Sequence, residues 1–195
     1  TGMLSAHGGD WRLAVRFAIV LVTCVEVGVM CAATARAGTD EVFQTDWAAL
    51  TKWVTDAFDA PADADDARPV LVELRRQDHA TFGVGKSCIG TPLRLGEQTY
   101  EHGLGTHANS EIYVQVPPGA TAFCADLGVD RNERTQGVHG SVIFSVELDG
   151  NKTYESPVLR GDSAPLPLAL KLTPDMRALT LRVSDAGDGP GWDHA

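Results

Sequence analysis

Residues 100–112 read YEHGLGTHANSEI, and residues 184–195 read SDAGDGPGWDHA. Both stretches combine glycine with His, Asp or Asn, and each lies beside a segment of alternating apolar residues. Glycine allows positive φ angles and lets other groups approach the backbone closely. We therefore interpret both stretches as bends between strands that present polar side chains.

Segments with a period of two surround the bends from residue 70 onward, and turn residues separate them. The clearest hairpin signal is Asp149-Gly150, between residues 142–148 and residues 152–154. Seven or eight such segments predict an all-β protein, an antiparallel β-sandwich or jelly roll, and nothing in them indicates a βαβ unit.

The first of these segments contains Val70, Val72 and Leu74, and the intervening Leu71 predicts a well-buried strand. The same reasoning assigns core positions to one apolar residue from each of several other segments. The predicted core residues are Leu104, Ile112, Phe123, Phe144, Leu170 and Leu181.

The composition excludes one class of partner. Of 195 residues, 44% are hydrophobic, which is enough for a core, and the net charge is −10. Nucleic-acid binding needs a basic surface. We therefore expect no nucleic-acid partner.

The two bends and the strands between them resemble, in order, the NPCBM domain of the glycosyl hydrolase family 98 type, over Val70 to Ala195. Such domains are galactose-binding-like β-sandwiches attached to glycosidases. The resemblance implies a non-catalytic module that binds terminal sugars, with a leaning toward galactose, and that targets an associated glycoside hydrolase to glycans. In the family an aromatic residue and a final strand follow the second motif. We therefore expect residues 70–195 to be a sandwich truncated at its C-terminus.

Residues 1–37 have the parts of a secretory signal. Arg12 and Arg16 precede the largely apolar residues 17–33, and Ala35-Arg36-Ala37 fits a cleavage site. We expect cleavage before Gly38 and a secreted protein, extracellular or periplasmic. A membrane anchor and a buried helix are the alternatives, so a membrane is a partner only if the segment is uncleaved.

Cleavage at this site would leave Cys88 and Cys124 in the mature chain. In an oxidising compartment the two are able to form a disulfide. The alternative is that both are small buried apolar residues. No pair of Cys or His residues has the spacing of a zinc site.

Residues 38–69 predict a short amphipathic helix followed by a linker. Thr45 or Asp46 is suited to cap the helix, and its apolar face packs on the sandwich or on a neighbouring domain. Residues 57–69, AFDAPADADDARP, contain little to bury and predict a flexible linker. The residues at helical spacing are Trp47, Leu50, Trp53, Val54 and Phe58.

The first bend supplies two candidate carbohydrate-binding residues. His107 and Asn109 follow the glycines and are able to hydrogen-bond to a sugar. The alternative for His107 is a buried ring that holds the bend through a backbone carbonyl.

A polar loop over residues 126–140 supplies three more candidates. Arg131, Asn132 and Arg134 carry the guanidinium and amide groups that bind sugar hydroxyls, and loops on a rigid sandwich often form binding sites. A solvated hairpin tip is the alternative. Trp192, in the second bend, is a candidate for stacking on a sugar or else a core residue.

Asp185, Asp188 and Asp193 lie within nine residues, with glycines between them. Carboxylate oxygens on a glycine-rich turn suit Ca²⁺, although the spacing is not that of an EF-hand. The turn is a candidate site for a structural calcium ion, no cofactor is required, and Asx-turns are the alternative.

No segment carries the signature of a catalytic site. Glu101, Glu111 and Glu147 lie in or beside strands without a supporting acid motif, whereas glycosidases need two carboxyl groups across a cleft. We therefore predict a binding module that is not an enzyme. The alternatives are an adhesion or structural sandwich without sugar affinity and a fragment of a larger glycoside hydrolase.

Overall fold

The structure, a computed structural model, describes residues 47–58, with side chains from Ala49 onward, and residues 71–195. One helix and twelve strands occur in these residues. They are α1 (Trp47–Ala57), β1 (Val72–Gln77), β2 (Gly83–Val84), β3 (Leu93–Leu95), β4 (Gln98–Tyr100), β5 (Leu104–Gly105), β6 (Ser110–Gln115), β7 (Ala122–Leu127), β8 (Ser141–Leu148), β9 (Asn151–Glu155), β10 (Leu159–Arg160), β11 (Leu166–Lys171) and β12 (Ala178–Ser184). None of the described helices is long and apolar enough to cross a bilayer.

The strands form a main antiparallel sheet in the order β1-β6-β12-β8-β10, with β9 also paired to β8. A second antiparallel pair, β7 and β11, shares one apolar core with it. The pairs β2–β5 and β3–β4 are short. This arrangement confirms the all-β sandwich that the period-two segments predict.

The hairpin at Asp149-Gly150 has the expected geometry. Both residues have positive φ angles, 47° and 79°, and Leu148 pairs directly with Asn151 across the turn. A two-residue loop with positive φ at both positions is the turn that matches the twist of paired strands. The local signal therefore sets the register between β8 and β9.

The core lies between the main sheet and the β7–β11 pair. Ile112 of β6 lies opposite Leu74 on one side and Leu181 on the other, so apolar side chains of neighbouring strands share one face. Of the six predicted core residues, Leu170 is half-buried at the edge of the core and the others are buried, namely Leu104, Ile112, Phe123, Phe144 and Leu181.

The prediction of a well-buried first strand is wrong. Leu71 precedes β1 and is 47% exposed. Among the described strands, β1 pairs only with β6 and lies at the edge of the main sheet. Its buried face is marked by Val72. The outer face carries Glu73 and Arg75, which form an ion pair at 3.1 Å.

Helix α1 is present as predicted and packs on the sandwich. Trp53 and Phe58 are fully buried, and the Phe58 ring lies 5.1 Å from the Phe123 ring of β7, between centroids. The helix therefore contributes to the same core as the strands. The predicted export signal, the caps Thr45 and Asp46, and residues 59–69 of the linker lie outside the described residues.

Candidate functional site

Four segments of the chain meet at one end of the sandwich. Thr106 and Ala195 form two backbone hydrogen bonds with each other, at 2.8 and 2.9 Å, and Asp130 N–H donates to the carbonyl of His194 at 2.7 Å. The two bends that the sequence singles out are therefore neighbours in space. The segments are residues 78–80 after β1, 106–109 after β5, 130–140 between β7 and β8, and 185–195 after β12.

Three histidines from three of these segments form what we call the histidine cluster: His79, His107 and His194. The His107 ring centroid lies 5.4 Å from that of His79 and 5.1 Å from that of His194. His107 and His194 are buried, whereas His79 is exposed. Sequence reasoning selected only His107, since a single histidine beside a strand end carries no signal of distant partners.

The hydrogen bonds of the two buried rings fix complementary tautomers. His107 Nδ1 lies 2.8 Å from the carbonyl of Ala108, which only accepts, so Nδ1 carries the proton and Nε2 is an acceptor. His194 Nδ1 lies 2.8 Å from the amide nitrogen of Asn132, which only donates, so the proton is on Nε2. The cluster thus holds one acceptor nitrogen and one N–H donor.

Burial keeps these rings neutral near pH 7. It lowers the pKa of His107, and it lowers the pKa of His194 to about 4 with smaller contributions from the charges of His107 and Arg134. Because protonation would turn both ring nitrogens into donors, these low pKa values preserve the acceptor on His107.

Asn132 is buried and holds His194 in place. Its amide nitrogen donates to Asp130 Oδ2 at 2.7 Å as well as contacting His194, and its oxygen accepts the N–H groups of Arg134 and Thr135. All of its hydrogen-bonding groups are therefore used within the protein. Its geometry fits a role exerted through His194 better than direct contact with a sugar.

The side-chain amide of Asn109 also forms hydrogen bonds within the protein. Its amide nitrogen donates to Asp78 Oδ2 at 3.3 Å, and its oxygen accepts the Asp185 N–H at 3.2 Å. Asp78 in turn accepts two hydrogen bonds from Arg76, which lower the pKa of its carboxyl to about 2. Asn109 thereby ties the loop after β1 to the loop after β12.

The two candidate arginines lie in different surroundings. Arg131 forms an ion pair with Glu97, on the turn between β3 and β4. Arg134 is exposed, and its charge contributes to lowering the pKa values of both His107 and His194. Of the two, only Arg134 is near the histidine cluster.

Trp192 is not a core residue, because 53% of its surface is exposed. Its ring lies 5.7 Å from that of His139, between centroids, with the planes inclined by 34°. The next two residues, Asp193 and His194, are buried. The loop therefore exposes the ring of Trp192 and buries the side chain of His194 two residues later.

The three candidate calcium ligands lie close enough to influence one another. Asp193 Oδ1 accepts the Ser141 N–H at 2.8 Å, whereas Oδ2 is buried without a hydrogen-bond partner among the described residues. Burial, followed by the charges of Asp188 and Asp185, raises the Asp193 pKa to about 6.

The unpaired Asp193 oxygen fits a cation at this turn. Asp185 and Asp188 also bind Gly187 N–H and the Ser141 hydroxyl, respectively. Among residues 47–58 and 71–195, no group of three or more His, Cys, Asp or Glu side chains is gathered as a metal site. Calcium at Asp185, Asp188 and Asp193 therefore stays a prediction.

The cysteines that remain after the predicted cleavage, Cys88 and Cys124, are not joined to each other, and two of the three glutamates pair with one arginine. Burial raises the pKa of the Cys88 thiol to about 12. Glu111 and Glu147 both bind Arg182 on the outer face of the main sheet. The two glutamates therefore stabilise the sheet surface rather than flank a cleft.

Comparison with known proteins places this geometry in a family. The model of the NPCBM/NEW2 domain matches residues 66–195. A protein of Renibacterium salmoninarum named "Putative endo-alpha-N-acetylgalactosaminidase" is 38% identical over 104 residues. That alignment covers 53% of this chain but only 7% of the relative, so the chain spans a small part of that protein.

Two solved structures from Clostridium perfringens share the fold. The CBM51 domain of GH95, in complex with methyl-galactose, is 27% identical with a TM-score of 0.56 and covers 64% of this chain and 93% of its own. The CBM51-2 and INT domains of ZmpB, in complex with GlcNAc, are 26% identical with a TM-score of 0.57 and cover 63% and 28%, respectively. Both structures resemble the β-sandwich described above.

Proposed function

Since the chain belongs to the NPCBM/NEW2 domain family, carbohydrate-binding modules associated with glycosidases, we propose that it binds terminal sugars of the galactose type and targets a glycoside hydrolase to glycans. The module itself is non-catalytic. In this proposal the hydrolase domain is on the same polypeptide or in an associated one. The similarity to the named relative from Renibacterium salmoninarum supports that partner.

The observation that carries the proposal is the pairing of complementary nitrogens in the histidine cluster. A sugar hydroxyl both donates and accepts hydrogen bonds. One hydroxyl, or two adjacent hydroxyls, therefore satisfies His107 Nε2 as acceptor and His194 Nε2–H as donor. The exposed His79 and Arg134 at the rim add further donors.

The proposed preference for galactose is supported by the similar CBM51 domain that was solved with methyl-galactose. The neighbour solved with GlcNAc shows that the same fold also accommodates another sugar. We therefore expect the sugar to be selected by the loops at this end of the sandwich rather than by the strands.

The affinity for a single sugar is expected to be low. A small site buries little area and must desolvate many hydroxyls, so a Kd on the order of 0.1–1 mM is reasonable, which corresponds to about 4–5.5 kcal/mol. Such a module acts by tethering, because holding an enzyme near its glycan raises the effective concentration without tight binding.

Calorimetric or NMR titration of residues 47–195 with methyl-galactoside tests the proposal. We expect His107→Gln to weaken binding about tenfold, since the ring acceptor is lost, while His102→Gln, outside the cluster, binds like the parent. Circular dichroism shows whether both variants fold. A parent protein that binds no sugar on a glycan array would instead favour a structural or adhesion sandwich.

Export is part of the proposal and has its own test. The arginines and the apolar run that precede Ala35-Arg36-Ala37 support a signal peptide. N-terminal sequencing of secreted protein is expected to begin at Gly38. Retention of residues 1–37 in a membrane fraction would support an anchor instead.

A further inference from the structure

The rings of Trp192 and His139 form an exposed pair. We call this pair the aromatic platform. Their centroids lie 5.7 Å apart. His139 is exposed, and Trp192 keeps 53% of its surface open to solvent even though the two rings are close. Tryptophan is enriched at interfaces where one part of the ring is apolar and another part is wet, so an exposed indole with a fixed position is suited to pack on a ligand.

The backbone of Trp192 holds the ring in this exposed position. Its φ angle is +67°, a conformation that bulky side chains rarely adopt. The adjoining Asp193 is fixed by two contacts, since its carbonyl accepts Ala108 N–H at 3.0 Å and its carboxylate accepts Ser141 N–H at 2.8 Å. An unfavourable conformation that the surrounding structure maintains points to a functional constraint.

Two glycines allow the partners of the platform to approach each other. A Cβ on Gly140, whose φ angle is +94°, would lie 2.5 Å from the carbonyl oxygen of Trp192. A Cβ on Gly161 would lie 2.7 Å from the backbone nitrogen of His139. Both positions therefore require glycine for the loops carrying the two rings to pack as they do.

The platform and the histidine cluster share one backbone segment. His194 N–H donates to the Trp192 carbonyl at 2.8 Å, and the carbonyl of His194 accepts from Asp130 N–H at 2.7 Å. The backbone that presents the indole is thus the same backbone that positions the donor ring of the cluster. The indole and the donor ring of the cluster therefore lie two residues apart on one fixed segment.

We propose that the aromatic platform is a second subsite, which binds the sugar residue linked to the terminal sugar. The apolar C–H face of a pyranose ring packs on the indole, while the polar edges of the sugar remain in water. Two rings present too little surface for a stable protein interface, which needs about 800 Å² per partner. This inference rests on the proposed function, because it assumes that the terminal sugar binds at the histidine cluster.

Titration with methyl-galactoside and with two galactose-terminated disaccharides, lactose and galactosyl-β1,3-N-acetylglucosamine, tests the proposal. We expect the parent to bind at least one disaccharide about tenfold more tightly than methyl-galactoside. Trp192→Gly, which tolerates the positive φ angle, is expected to reduce this ratio to near one. His139→Ala disturbs the loop less than Trp192→Gly does, and it is expected to reduce the ratio of the two affinities by about threefold. The control variant Val158→Ala, at an exposed position on another loop, is expected to keep the ratio.

Each failure has a distinct meaning. If the parent binds methyl-galactoside but neither disaccharide more tightly, or if Trp192→Gly and His139→Ala both keep the parental ratio, the second subsite is wrong and the proposed function stands. If Trp192→Gly weakens all three ligands by the same factor, Trp192 belongs to the terminal subsite and the proposal is also wrong. If the parent binds none of the three, both the terminal site for galactose and the subsite beside it are rejected.

Discussion

The amide nitrogen of Asn132 lies 2.8 Å from Nδ1 of His194, across a sequence separation of 62 residues. This contact sets the tautomer of His194 and leaves its N–H on Nε2. Since the same amide group also binds Asp130, the loop between β7 and β8 orients a ring that belongs to the end of the chain. The candidate site therefore depends on a buried side chain whose hydrogen-bonding groups are all used within the protein.

Replacing Asn132 by Asp tests this relationship. The substitution keeps an acceptor for the N–H groups of Arg134 and Thr135 but removes both donors and places a carboxylate beside Asp130. We expect the pKa of His194 to rise above its present value of about 4 and its proton to move to Nδ1. NMR titration of the ring measures both changes, and sugar affinity is expected to fall about tenfold.

A loss of sugar affinity in Asn132→Asp without a change in the His194 titration would contradict the positioning role. Glu133→Gln is the matched control. Glu133 is exposed and adjacent to Asn132, and its substitution likewise exchanges a carboxyl group and an amide group. It is expected to leave both the titration and the affinity unaltered.

Much of the strand architecture was predictable from local patterns. Ile112 and Phe144 lie on the faces that their alternating neighbours predict, and Asp149-Gly150 forms the expected turn. Leu71 shows the limit of this reasoning, since an apolar run does not reveal whether a strand is central or at an edge. Only the sheet order settles that question.

The candidate site was less predictable because its contacts join distant parts of the chain. Arg131 was selected for its guanidinium group, yet it pairs with Glu97, and no local signal indicates that partner. His79 was not selected, although its ring lies 5.4 Å from that of His107. Loop residues acquire their roles from the tertiary neighbours that the strands bring to them.

Acid is expected to destabilise the fold through His194. Its pKa is about 4 in the folded protein against an ordinary value of 6.5, because burial disfavours the charged ring. Between these values the unfolded chain binds more protons, so the contribution is full above about pH 6.5 and is lost as the pH falls toward 4. The lowered pKa of His107 acts in the same direction.

Asp193 opposes the acid destabilisation caused by His194. Its pKa is about 6 in the folded protein against an ordinary value of 3.8. Between these two pH values the folded protein binds more protons at Asp193 than the unfolded chain does, so this carboxyl group adds stability as the pH falls. Urea denaturation at pH 7 and pH 4.5 separates the two contributions. We expect His194→Gln to lose less stability on acidification than the parent, by on the order of 2 kcal/mol. Equal losses in the two proteins would show that His194 is accessible to protons in the fold.

Helix α1 is expected to be part of the folded module although the family match begins at residue 66. Phe58 is fully buried against Phe123. Truncating a buried Phe to Ala typically costs about 3–5 kcal/mol, and we expect Phe58→Ala to reduce the free energy of unfolding by that amount. Lys52→Ala is the control, because Lys52 is exposed and its ion pair with Asp56 at 2.7 Å contributes at most about 1 kcal/mol. Phe58 directly follows α1, so a Phe58→Ala protein as stable as the parent would mean that the end of this segment does not contribute to the core.

The calcium prediction depends on Asp193. Its Oδ2 atom is buried without a hydrogen-bond partner among the described residues. A cation bound there would favour the ionised carboxylate and would stabilise the native state by mass action. We expect Ca²⁺ to raise the Tm by several degrees and a chelator to reverse the rise. Asp188→Asn is expected to abolish the response, since the Asp188 charge acts on Asp193, whereas Asp162→Asn, at an exposed position elsewhere, keeps it. Identical melting of the parent protein with calcium and with chelator would reject the site and leave Asp193 as a buried carboxyl group with a pKa raised by burial.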